Sequence, residues 1–108
     1  MSRILFAILV FAISFSVQAR GNAESGKAKA AQVCSACHGP DGNKPSAPDQ
    51  PVLAGQYYDY LVKALSDYKS GQRANPIMKA FAGPLSKQEI EDLAAWFASQ
   101  KSNLHFQR

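Results

Sequence analysis

The chain has 108 residues, 46% of them hydrophobic, with 12 basic and 8 acidic side chains and a formal net charge of +4. That length suits one domain with a small all-protein core. The basic residues are scattered rather than blocked, which argues against nucleic-acid binding and leaves a mildly basic surface suited to docking or simple solubility.

The amino terminus reads Met1-Ser2-Arg3 and then an apolar run from Ile4 to Val17, broken only by Ser14 and Ser16. Fourteen residues of helix reach about 21 Å at ~1.5 Å per residue, short of the roughly 30 Å hydrocarbon core of a bilayer. The pattern predicts a secretory signal peptide over residues 1–19, cleaved after Ala19, with no stable membrane insertion afterwards. An uncleaved anchor is the alternative, because Val17 meets the small-residue rule at the cleavage site only imperfectly. The mature chain, residues 20–108, then holds 89 residues with a net charge of +3.

From Asn22, a residue able to cap a helix, Ala23, Gly26, Ala30, Val33 and Cys37 recur at steps of three and four and predict one apolar helical face. A glycine costs about 1 kcal/mol inside a helix, so Gly26 suggests close approach of a second helix. The helix runs into Cys34-Ser35-Ala36-Cys37-His38. Thiols at i and i+3 on a helical turn can reach two vinyl groups of one porphyrin, and the next residue then lies under the iron. The motif therefore predicts one covalently attached haem c, with His38 as the proximal ligand.

Other chemistries fit these residues less well. A thioredoxin-type redox pair belongs in a βαβ setting, and no alternating strand precedes Cys34. A zinc site would have to draw on Cys34, Cys37, His38 and His105, the only cysteines and histidines present; three of these are crowded together, unlike the two spaced pairs of a structural site. A Cys34–Cys37 disulfide would close a very small loop and leave His38 unexplained.

Residues 39–51 contain four of the six prolines and read as an irregular loop. Tyr57, Leu61, Ala64, Leu65 and Tyr68 mark a second helix stopped by Gly71. Residues 72–84 read as irregular again and carry Met78, the only methionine of the mature chain. A loop setting suits a thioether held toward iron, which makes Met78 the predicted sixth ligand; His105, in the polar tail, is the weaker candidate. Ser86-Lys87-Gln88-Glu89 is a capping box with Leu85 and Ile90 placed as a hydrophobic staple. It opens a third helix bearing Leu93, Trp96 and Phe97 and ending near Gln100. Strand signals are absent, so the predicted class is all-α.

Over essentially the whole mature chain this sequence resembles the class I c-type cytochromes. The resemblance rests on the haem motif, Met78 and Pro51-Val52-Leu53-Ala54-Gly55-Gln56, which is similar to the family's P-x-L-x-G segment. It implies three main helices and long loops wrapped around one haem, with His38 and Met78 as axial ligands. In that family the carbonyl at the position of Pro51 accepts a hydrogen bond from the proximal histidine, and the residue at Leu53 packs on the haem. Gly26 would cross Leu93 and Trp96, and Arg73 would approach a propionate. The implied function is that of a soluble, monomeric periplasmic carrier passing single electrons between redox proteins by transient docking, with Lys44 and Lys79 in a positive rim. Two alternatives remain: a haem subunit or domain of a larger membrane redox complex, and an open-site haem protein that binds small ligands.

Overall fold

The computed structural model describes residues 7–13 and 20–104. The predicted cleavage site at Ala19 and the candidate His105 lie outside the described residues. Among the described residues five helices follow one another: α1 (Ala23–Val33), α2 (Ser35–His38), α3 (Tyr58–Ser70), α4 (Pro76–Ala82) and α5 (Lys87–Ala98). Among the described residues there is no strand, and no helix is long and apolar enough to cross a membrane.

Two of the three long helices, α1 and α5, begin at a side-chain cap. Asn22 caps α1 by accepting from the Ser25 amide at 2.9 Å. The capping box of α5 is closed both ways: the Glu89 amide donates to Ser86 Oγ, and the Ser86 amide to Glu89 Oε1, each at 3.0 Å. Tyr57 precedes α3 as its N-cap residue and is 87% exposed, so it is not part of the buried face on which Leu61 lies. Gly71, in the left-handed region at φ 86°, ends that helix.

The stretch expected to be irregular around Met78 is instead helix α4. Asn75 accepts from the Met78 amide at 3.0 Å and Pro76 occupies the first turn. A capping side chain followed by a proline whose φ is already helical is enough to start a short helix here.

Helices α1 and α5 cross at Gly26. A Cβ there would collide with the Asp92 carbonyl and lie 2.9 Å from Trp96 Cβ, so only glycine permits the approach. The crossing is pinned by the Asp92 carboxylate, which accepts from the Asn22 amide at 2.7 Å and from Gln88 Nε2 at 2.8 Å. The expected partner Trp96 is at the contact, and Leu93 is buried in the core. That core gathers Ala30, Leu61, Ala82, Leu85, Ile90, Leu93, Ala94 and Phe97, with both staple residues inside it. Leu93 is its largest fully buried side chain, which marks a protein interior of modest size.

Candidate functional site

Beside this core lies a cavity of about 450 Å³, bounded by α2, the 49–53 segment, the end of α3 and α4. That size falls in the range of small-molecule and cofactor sites. Cys34, Cys37, His38, Pro51, Leu53, Arg73 and Met78 all line it. The sequence-based candidates are thus brought together at one place.

The turn carrying the two thiols is wound by hydrogen bonds from the Cys37 and His38 amides to the Cys34 carbonyl, at 3.2 and 3.0 Å. Both cysteines are free and half-buried. Burial pushes the Cys34 thiol up to about 11, with the neighbouring Cys37 adding to the rise and Lys29 opposing it. The thiol is therefore protonated at neutral pH rather than poised as a thiolate, unlike the activated cysteine of a redox couple.

His38 is buried at 6% exposure, and its Nδ1 lies 2.9 Å from the Pro51 carbonyl oxygen. A carbonyl can only accept, so Nδ1 carries a proton, and in the neutral ring Nε2 keeps the lone pair. This is the ring state a metal-ligating histidine requires.

Met78 enters from α4. It is half-buried, whereas every other residue from 71 to 81 is exposed. Two apolar neighbours on the same helix, Ile77 and Phe81, also line the cavity while remaining 65% and 44% exposed. Val33, Leu53 and Leu65 complete an apolar wall. At the mouth, Arg73 is held over the Tyr68 ring at 4.8 Å and donates to the Tyr60 hydroxyl at 3.3 Å. Lys44 and Lys79 are both exposed.

An apolar slot with two thiols on one turn, one imidazole in the metal-binding tautomer and one thioether is a donor set suited to haem iron. Residues 23–101 match the family model for cytochrome c. The chain belongs to the cytochrome c family. It is a c-type cytochrome, and the cofactor of its family is covalently bound haem c.

The cytochrome is 45% identical over 105 residues to cytochrome c4 of Pseudomonas aeruginosa, a match covering 96% of this chain and 51% of that protein. It is 39% identical over 84 residues to cytochrome c-554(548) of Halomonas halodenitrificans, covering 75% of this chain and 99% of the relative. Among solved structures, reduced recombinant cytochrome c4 from Pseudomonas stutzeri superposes with a TM-score of 0.71 at 46% identity, covering 78% of this chain and 48% of that one. The chain thus spans about half the length of the cytochrome c4 relatives it matches.

Three features of the cytochrome's site were missed in the sequence. Helix α4 was announced by Asn75-Pro76, a capping residue before a first-turn proline. Leu65 was legible as part of the α3 face but not as a wall of the cavity. Gln50, whose side chain organises the loop before Pro51, gave no motif at all.

Proposed function

We propose that the protein is a single-electron carrier with one haem c, held through Cys34 and Cys37 and ligated by His38 and Met78. The observation that carries this reading is the gathering of those four side chains around one cavity, with the His38 tautomer fixed by the Pro51 carbonyl. Haem, when bound, supplies reversible one-electron oxidation and reduction at iron.

The chain's own residues do the rest. Cys34 and Cys37 anchor the group on one rigid turn. His38, oriented by Pro51, presents Nε2, and Met78 presents a thioether from a capped helix. With iron bound, a thioether from Met78 would favour the reduced state relative to a second histidine and would keep small molecules off the metal. Leu53, Leu65, Ile77 and Phe81 would exclude water from a bound macrocycle, and Arg73 at the mouth would offer a positive charge to an acidic substituent on it. Lys44 and Lys79 form part of a basic rim that steers brief encounters with acidic redox proteins.

Residues 1–19 act in this reading as an export leader cleaved after Ala19, and residues 20–108 work as a monomer in the periplasm. The half-length match to cytochrome c4 favours a second reading, in which this unit serves as one haem domain within a larger redox assembly. Intact mass of the native protein separates the two: residues 20–108 plus one haem for the carrier, a larger species for the assembly.

The functional test is Met78→Ala. The variant is expected to lose the thioether-iron signature of the oxidised spectrum, to bind carbon monoxide when reduced, and to show a lower reduction potential. Wild type should do none of these. Ready binding of carbon monoxide by reduced wild type would assign an open iron site and overturn the carrier.

A further inference from the structure

Residues 44–51 fold back over the turn that carries the haem motif. The Lys44 amide donates to the His38 carbonyl at 3.1 Å, and the Ser46 amide to the Cys37 carbonyl at 2.9 Å. One side chain closes this segment on itself. Gln50 Oε1 accepts from the Ser46 amide at 2.9 Å, the Ser46 hydroxyl at 2.9 Å and the Ala47 amide at 3.1 Å. The Gln50 amide in turn donates to the Ala47 carbonyl at 3.1 Å. Three donors converge on an oxygen with two lone pairs, so its acceptor capacity is fully used.

The next residue is Pro51, whose carbonyl oxygen faces His38 Nδ1 at 2.9 Å. Proline's ring fixes its φ and leaves ψ as the one soft torsion, so the carbonyl is set from two sides: by where Gln50 is held before it, and by the Leu53 amide, which donates to the Gly42 carbonyl at 2.8 Å, after it. The geometry points to Gln50 as the positioning residue of the proximal hydrogen bond. By locking the 46–50 turn, it keeps the Pro51 carbonyl on His38 Nδ1. A strong bond at Nδ1 makes the imidazole a better donor through Nε2, which favours the oxidised metal and lowers the reduction potential. The inference rests on the assignment of His38 as proximal ligand.

The test uses the reduced holoprotein and reads two quantities: the exchange rate of the His38 Nδ1 proton by NMR, and the reduction potential. Gln50→Leu removes the acceptor while keeping bulk. It should speed the exchange about tenfold, the size expected for losing one hydrogen bond, and raise the potential. Gln50→Glu restores an oxygen acceptor and should return the exchange rate to that of wild type. Because it also adds a charge beside the cavity, its potential is not the rescue readout.

Wild-type exchange and potential in Gln50→Leu, alongside faster exchange of the Ser46 and Ala47 amides, would overturn the proposal: Gln50 would then organise the loop alone. Should Gln50→Leu fail to mature, Gln50→Asn decides in the same way, since its shorter side chain cannot reach all three donors. Its exchange should be faster than wild type, and an unchanged rate overturns the proposal. A wild-type His38 ring proton without the shift imposed by a bound haem would instead remove the ligand assignment itself, an outcome distinct from either.

Discussion

Glu89 shows how much one side chain can tie together. Its carboxylate closes the capping box of α5 and pairs with Lys29 of α1 at 2.7 Å. The Lys29 partner, followed by the Ser86 amide, holds the Glu89 carboxyl down to about 2 from an ordinary value of 4.5. A depressed carboxyl favours the folded state above its unfolded value, and that contribution is lost as the pH falls through the folded one. Glu89→Gln keeps an oxygen for the cap but not the charge. The thermal midpoint of the variant should lie below wild type at neutral pH, and the gap should close as the pH falls from about 4.5 toward 2. A gap constant with pH, followed by calorimetry, would show that the ion pair contributes nothing. The cap was legible in the sequence as Ser86-x-x-Glu89; its second partner was not, because Lys29 lies 60 residues away along the chain and only the α1–α5 crossing brings it near.

At the level of elements, the three long helices were legible because each has an apolar period, reinforced in α1 and α5 by a capping side chain and in α3 by the glycine that stops it. Helix α4 was not, since seven residues hold fewer than two full turns and the flanking glycine and prolines read as loop. Its first turn is capped by the Asn75 side chain. Replacing a capping asparagine by alanine costs about 0.5–2 kcal/mol. Because Met78 sits in the first turn, Asn75→Ala should weaken the thioether-iron signature at temperatures where the far-UV circular dichroism of the other helices is still intact. Loss of both signals together would mean that α4 has no local stability of its own. The crossing of α1 and α5 gives a second prediction. Gly26→Ala places a Cβ into the Asp92 backbone, and overpacking of this kind costs typically 1–3 kcal/mol. Trp96→Ala errs in the other direction: it removes the ring that Lys27 covers at 5.6 Å and the indole N–H donated to the Pro40 carbonyl at 3.2 Å. Denaturant midpoints of both variants should fall clearly below wild type, and midpoints equal to wild type would dissolve the proposed crossing.

For the molecule as a whole, the notable feature is a small core beside a large apolar cavity. Among the described residues Leu93 is the one large side chain fully buried, while Ile77 and Phe81 stand exposed around the cavity. Burying apolar surface contributes on the order of 25 cal/mol per square ångström, so a macrocycle filling this space supplies stabilisation that the chain lacks alone. Protein made without haem attachment should therefore show a marked loss of helical circular dichroism, and native-like helicity in its absence would contradict that account. Cys34, Cys37, His38, Pro51 and Met78 were readable as candidates because the covalent and metal chemistry proposed for them asks for residue types at fixed spacing, and the fold brings all five to one cavity. The walls of the slot and the turn locked by Gln50 were not, since any suitable apolar or hydrogen-bonding side chain can serve there and only the folded chain shows which one does.

We propose that Cys34 and Cys37 bind one haem covalently. This is tested most directly by haem staining after denaturing electrophoresis, comparing wild type with the Cys34→Ser/Cys37→Ser double variant, both produced with a c-type maturation system. Wild type should carry the stain through denaturation and the double variant should carry none. A double variant that stains as strongly as wild type, or a wild type that does not stain, would contradict the account.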